Sequence, residues 1–203
     1  MADATDDLTV GEACVVTGLR PDQINDAIDR KRVPSRWVTA QGGRRRLDKR
    51  GLVAFKIETS LAGRVPVEIR QRWYAKLAEG ASPGRLVTKD PETSVTYQVD
   101  LRPYRADIDS RWRKLKSAKR LIVEDPDIQA GAATFKGTRI LVHPIADALA
   151  AGISEAELLE DYPRLTRDML DAARIWCVAY PRRGRPRAKA PWQEASDRTK
   201  RGR

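Results

Sequence analysis

The sequence predicts a mostly helical α+β protein: two small domains, a mixed connector between them, and a disordered basic tail. Three observations lead there. Turn and cap residues cluster twice, at residues 8–58 and 121–180, each time around a short hairpin and several short helices. Residues 63–120 mix helical spacing with strand alternation. Beyond residue 180 large apolar residues nearly vanish and arginines dominate. The units so read are residues 1–62, the connector 63–120, residues 121–180 and the tail 181–203.

Composition bounds the function classes. Of 203 residues, 41% are hydrophobic and 6% aromatic, enough for small cores. No apolar run approaches the ~20 residues of a membrane-spanning helix. The acidic, polar start, Met1-Ala2-Asp3-Ala4-Thr5-Asp6-Asp7, does not read as a signal peptide. Cys14 and Cys177 lie far apart in apolar helical patterns and read as buried, reduced thiols. A cytoplasmic protein without disulfides is expected. The net charge of +11 is unevenly spread. Residues 1–19 carry −4, 20–50 carry +6, 51–120 carry +7, 121–180 carry −5 and 181–203 carry +7. So basic a chain is expected to meet nucleic acid or another polyanion. For residues 51–120 the charge reads as solvated surface.

In the first domain, Thr9-Val10-Gly11-Glu12 forms a capping box, flanked by Leu8 and Ala13 at the staple positions. A helix therefore starts at Val10, and Gly18 stops it. Pro21 sits at a natural first helical position three residues later. Ile24, Ala27 and Ile28 give the second helix its inner stripe. Two short helices joined by a tight, glycine-containing turn make a helix-turn-helix. Trp37-Val38-Thr39-Ala40, the turn Gln41-Gly42-Gly43, and Arg44-Arg45-Arg46-Leu47 then read as a hairpin wing. A further helix from Asp48 returns Leu52, Phe55 and Ile57 to the core. The run 8–58 resembles the winged domains of the MerR and excisionase types. The second helix presents Gln23, Asn25, Asp26 and Arg30 outward, and Gln, Asn and Arg can read base edges in the major groove. Arg20 is a poor N-cap and reads as a phosphate contact. Arg44, Arg45 and Arg46 would grip phosphates or the minor groove. Asp22, Asp26 and Asp29 oppose phosphate, so only part of this helix is expected in the groove.

The connector predicts a helix over 66–79 with Val65, Ile69, Trp73 and Leu77 at near-helical spacing, broken at Ala81-Ser82-Pro83-Gly84. A strand follows over 95–101 with Val95, Tyr97, Val99 and Leu101 on one face, then a charged helix over 105–119 with Ile108, Trp112 and Leu115 as its stripe. Two copies could pair through these pieces, since helix-turn-helix proteins usually bind paired half-sites. Plain local packing is the alternative.

The third segment opens with a strand and turn through Asp125-Pro126. A hairpin follows around Gly131 and Gly137, with strands at 134–136 and 138–142. Pro144 starts a helix with Ile145, Ala148 and Leu149 inside, and Gly152 stops it. Ser154-Glu155-Ala156-Glu157 is a second capping box, with Ile153 and Leu158 as staple. Pro163 ends that helix. Thr166 caps the last one, whose inner face is Met169, Ala172, Ala173 and Trp176. The ordered set Asp125-Pro126, Gly131, Gly137-Thr138-Arg139-Ile140, Gly152, Ser154, Asp161-Tyr162-Pro163, Leu165-Thr166 resembles the domain of unknown function 433 over residues 121–180. One departure stands out: Gly131-Ala132-Ala133-Thr134 replaces that family's usual Gly-Gly-x-Pro turn. The resemblance implies a VapB-like type II antitoxin whose partner is a PIN-like ribonuclease toxin. Independently, Glu155, Glu157, Glu160 and Asp161 should repel DNA and suit a protein partner, although a solvated acidic helix face accounts for them equally.

The tail cannot bury enough apolar area to offset its ordering entropy. Arg183-Gly184-Arg185-Pro186-Arg187 resembles an AT-hook. The competing reading has Arg182, Arg183, Arg185 and Arg187 pair with the toxin's carboxylates while Trp192 fills an apolar pocket. An enzyme is not expected. His143 is alone, and no P-loop, dinucleotide fingerprint or Cys/His metal spacing is present. The carboxylates of 121–180 sit in caps and first turns, which explains them structurally. No cofactor or metal is called for. The expected function is a dimeric antitoxin that neutralises a ribonuclease toxin and represses its own operon. The alternative is a stand-alone transcription or recombination-directionality factor.

Overall fold

The computed structural model describes residues 7–80 and 84–182. The tail residues Arg183, Arg185, Arg187 and Trp192 lie outside the described residues, as does most of the break expected at 81–84.

Local caps set the first domain. Helix α1 (Val10–Thr17) begins where the Thr9 hydroxyl accepts the Glu12 amide at 3.1 Å and the Glu12 carboxylate accepts the Thr9 amide at 2.7 Å. Gly18 ends it, and α2 (Pro21–Asp29) starts three residues on with Ile24 and Ala27 buried. The hairpin expected as a wing is strands β2 (Val38–Gln41) and β3 (Arg44–Asp48), joined by Gly42 and Gly43 at φ +58° and +73°. Two positive φ angles in a two-residue loop match the twist of a hairpin, which is why glycines stand there. A third strand, β1 (Asp7–Thr9), pairs with β3, giving the antiparallel order β1-β3-β2. Three residues are too few to show alternation, so the sequence does not announce it. The helix expected from Asp48 starts later: Asp48 caps a 3-10 turn, Lys49–Gly51, and α3 (Leu52–Leu61) follows with Leu52, Phe55 and Ile57 fully buried.

The stretch expected as a connector is built into this same core. It forms α4 (Val67–Ala78), β4 (Arg85–Lys89), β5 (Thr96–Asp100) and α5 (Arg102–Leu121). The β4–β5 hairpin closes within the chain, with Leu86 opposite Val99. Ile69, Trp73, Tyr74, Leu86, Leu101, Ile108 and Leu115 join Leu8, Ile24 and Phe55 in one cluster. Of the alternating face, Val99 and Leu101 are buried, Tyr97 is half-buried and Val95 is exposed. A buried polar knot ties α3 to α4. Glu58 accepts from the Tyr74 hydroxyl at 2.8 Å and pairs with Arg70, whose Nε reaches the Val65 carbonyl at 3.1 Å. Burial first, and then the Glu58 charge, push the Tyr74 phenol well above its ordinary range.

The second core belongs to β6 (Ile122–Val123), β7 (Thr134–Phe135), α6 (Val142–Ala150), α7 (Glu155–Asp161) and α8 (Arg167–Ala179). The opening strand is only two residues long because α5 runs on to Leu121. The strand expected over 138–142 is a turn. The Thr138 hydroxyl donates to the Phe135 carbonyl and accepts the Ile140 amide, leaving one isolated bridge, Thr134 to Leu141. A side chain that satisfies nearby backbone groups competes with ladder formation. Helix α6 then begins at Val142, ahead of Pro144. Ser154 and Thr166 cap α7 and α8, but the box expected at Ser154 is half formed: its hydroxyl accepts the Glu157 amide and the Glu157 carboxylate does not return to the Ser154 amide. Phe135, Val142, Leu170, Ala173 and Trp176 fill the core.

Helices α1, α5 and α8 pack on one another and join the two units. Ala179 at the end of α8 lies in the first core, and Ala118 of α5 lies in the second. Among the described residues no helix is long and apolar enough to cross a membrane. The two units approach closely at Gly11, where an added Cβ would stand 2.2 Å from the Ala179 carbonyl oxygen. Backbone on both sides leaves that methyl no room. Gly11→Ala is therefore expected to cost about 1–3 kcal/mol, typical of overpacking, read as a lower urea midpoint at unchanged m-value.

Candidate nucleic-acid interface

Helix α2 and the wing bring some of the expected residues together and occupy others. Arg20 is exposed and ion-paired with Asp22 at 2.8 Å, and its backbone amide donates to the Gln23 side chain at 2.9 Å. Gln23 thus completes the start of α2. Asn25 accepts from Arg45 at 2.8 Å, and Arg45 also pairs with Asp29. Arg30 pairs with Asp26 at 2.6 Å, and Arg32 pairs with the same carboxylate. The three aspartates of α2 thus hold arginines in place across and beside the helix. The three arginines expected to grip phosphates do not share one face. Strand alternation turns Arg45 toward α2, and Arg44 and Arg46 to the other face. Arg44 is exposed, Arg46 is half-buried, and neither has a hydrogen-bond or ion-pair partner among the described residues.

The same strand lines a groove of ≈ 1290 Å³ between the two domains. One wall runs from Pro21 at the start of α2 through Gly43, Arg44, Arg45 and Arg46 to the N-terminus of α1. The opposite wall is Ala133, Leu141, His143, Pro144 and the segment 178–182. His143 Nε2 lies 3.1 Å from the Tyr180 carbonyl, a structural contact. Arg182, expected to contact the toxin, pairs within the chain with Asp147 at 3.0 Å on the groove's edge.

At the floor sits Glu12, only 4% exposed. Its Oε2 accepts the Thr9 amide, and its Oε1 takes the Tyr180 hydroxyl at 2.5 Å and the Lys119 ammonium. Burial pushes this carboxyl up, but the hydrogen bonds from Lys119, Tyr180 and Thr9 together outweigh it and hold the group below its ordinary value. Burial and the Glu12 charge drive the Tyr180 phenol the other way, far up.

Sequence reasoning placed Glu12 in its cap and missed its second role. Nothing local marks Lys119 or Tyr180, because both act across more than a hundred residues. Cys14 is buried and its thiol is raised to about 11 by burial, as suits an inert core cysteine. Among the described residues no group of three or more His, Cys, Asp or Glu is placed to hold a metal ion.

Residues 122–177 match the family model described as protein of unknown function (DUF433). Over 200 residues the chain is 30% identical to "Uncharacterized protein y4eO" of Sinorhizobium fredii (strain NBRC 101917 / NGR234), covering 93% of this chain and 88% of that protein. No solved structure matches.

The Glu12 node fixes a pH dependence. A carboxyl depressed in the folded state stabilises above its unfolded value, and that contribution is lost as pH falls through the folded one. Glu12→Gln is expected to lower stability at pH 7 by about 1.5–3 kcal/mol, as for hydrogen bonds to a charged group. The gap to wild type should narrow as the buffer drops below pH 4.5. Urea titrations of both proteins at several pH values check this. A gap independent of pH would assign the loss to shape rather than charge.

Proposed function

We propose a nucleic-acid-binding antitoxin role for this chain, which belongs to the same protein family as y4eO and carries a DUF433 segment. In this reading the first domain holds operator DNA, and the second binds a PIN-like ribonuclease toxin. One observation carries the DNA half. Helices α1 and α2, joined by a three-residue turn, are followed by a three-stranded sheet whose glycine-turned wing holds three consecutive arginines. Such a helix pair can seat its second helix in the major groove while a wing meets the backbone. Arg20, Gln23, Asn25 and Arg30 stand on or beside α2, where base or phosphate contacts would exchange for the present intramolecular ones.

Helix α7 supports the protein-binding half. Glu157, Glu160 and Asp161 are exposed with no ion-pair partner among the described residues, while Glu155 pairs with Arg174. Beside them Ile153 and Tyr162 are 39% and 40% exposed. An acidic surface with exposed apolar anchors suits a basic protein partner and disfavours a phosphate backbone.

Two measurements test the two halves. A duplex spanning the gene's own upstream region should be retarded by the full chain in a gel-shift titration. Asn25→Ala/Arg30→Ala should weaken that preference by about 1–3 kcal/mol per lost base contact. Pull-down from the native host should yield a small protein that arrests growth when expressed alone and is rescued by this chain. Recovery with DNA and no stoichiometric protein would instead identify a stand-alone regulator.

A further inference from the structure

Around α2 each arginine already faces a carboxylate: Arg20 has Asp22, Arg30 and Arg32 share Asp26, and Arg45 has Asp29. Against that pattern, Arg44 and Arg46 have no ion-pair partner among the described residues, although the exposed Glu124 lines the same groove. Arg46 is half-buried in a groove whose far wall is largely apolar, including Ala133, Leu141 and Pro144. Partial burial of an unpaired guanidinium is unfavourable unless an anion is supplied from outside. Two residues apart on one strand, the pair spans about 6.6 Å and can hold neighbouring negative groups.

The opposite edge offers a third cation. Arg182 pairs with Asp147, but both side chains are more than half exposed, so the pair is weak and exchangeable. The carboxylates on the groove are Glu12, whose charge Lys119 matches, and Glu124. None of the acidic residues of α7 lines it. The groove also begins at Pro21, the first residue of α2, beside the wing tip. It therefore continues from the surface assigned to DNA above onto the second domain.

We infer that this interdomain groove is a track for the sugar–phosphate backbone, with Arg44 and Arg46 on one wall and Arg182 on the other, so that the second domain is itself part of the nucleic-acid interface. The inference rests on the nucleic-acid reading above and extends it across the domain boundary. Phosphates satisfy all three cations, and arginine presents a planar fork suited to them. An acidic protein segment is the competing occupant.

The test is fluorescence anisotropy of the full chain with a labelled 30-base-pair duplex of arbitrary sequence, titrated at several salt concentrations. Arg44→Ala, Arg46→Ala and Arg182→Ala should each weaken binding about three- to tenfold and flatten the salt slope by about one. Asp147→Ala, which releases Arg182, should tighten binding about two- to threefold by the same electrostatic argument. If Asn25→Ala/Arg30→Ala weakens binding while the Arg182 and Asp147 variants leave affinity and slope unchanged, the composite track is wrong and the nucleic-acid reading stands. If the groove variants keep duplex binding but lose a co-purifying protein, the occupant is an acidic segment and the inference falls. No binding by wild type at low salt overturns both readings.

Discussion

Glu12 satisfies three donors with two oxygens, and each donor comes from a different part of the chain. The Thr9 amide starts α1, the Lys119 ammonium ends α5, and the Tyr180 hydroxyl follows α8. The carboxylate is nearly inaccessible to water, so losing one donor would leave a buried charge under-compensated, which is the expensive case for an internal ion pair. The position of the second domain against the wing depends on this junction. So does the groove, since Glu12 forms its floor and Tyr180 part of its far wall. Gly11 beside it lets the α1 backbone touch the end of α8, so the contact is steric as well as electrostatic.

Helix α5 carries that junction through the molecule. Its 20 residues span about 30 Å, with Ile108 and Leu115 in one core and Ala118 in the other. Lys56 of α3 reaches both the Thr17 carbonyl and Asp107 of α5, which seats the helix against the end of α1. A helix shared by two cores couples their unfolding, because neither can lose it without exposing buried apolar surface in the other.

The parts of the fold legible in the sequence are those written in a few adjacent residues. The Thr9–Glu12 box, the Ser154 and Thr166 caps, the Pro21 start and the Gly42-Gly43 turn each involve groups within four positions, and each lies where it was read. The misplaced pieces are those where long-range and local bonds compete. Thr138 turns the chain with its own hydroxyl where alternation suggested a strand. The middle segment looked like a connector because its apolar residues are sparse, yet Trp73, Tyr74 and Leu101 fill a core assembled from distant elements. The three wing arginines were read as equivalent. Strand geometry separates Arg45 from its neighbours, and only the α2 aspartates reveal what it does.

The matched family segment ends at residue 177 and begins at 122, just after α5 closes. Lys119, Ala179 and Tyr180, which help fasten this segment to the first core, fall outside it, whereas Ile175 packs on that core from within it. The last turn of α8, carrying one small residue and one phenol, plugs into a socket made by α1 and α5. The seating of the matched segment is therefore written on both sides of its boundary, in the Tyr180 plug beyond it and in Ile175 within it.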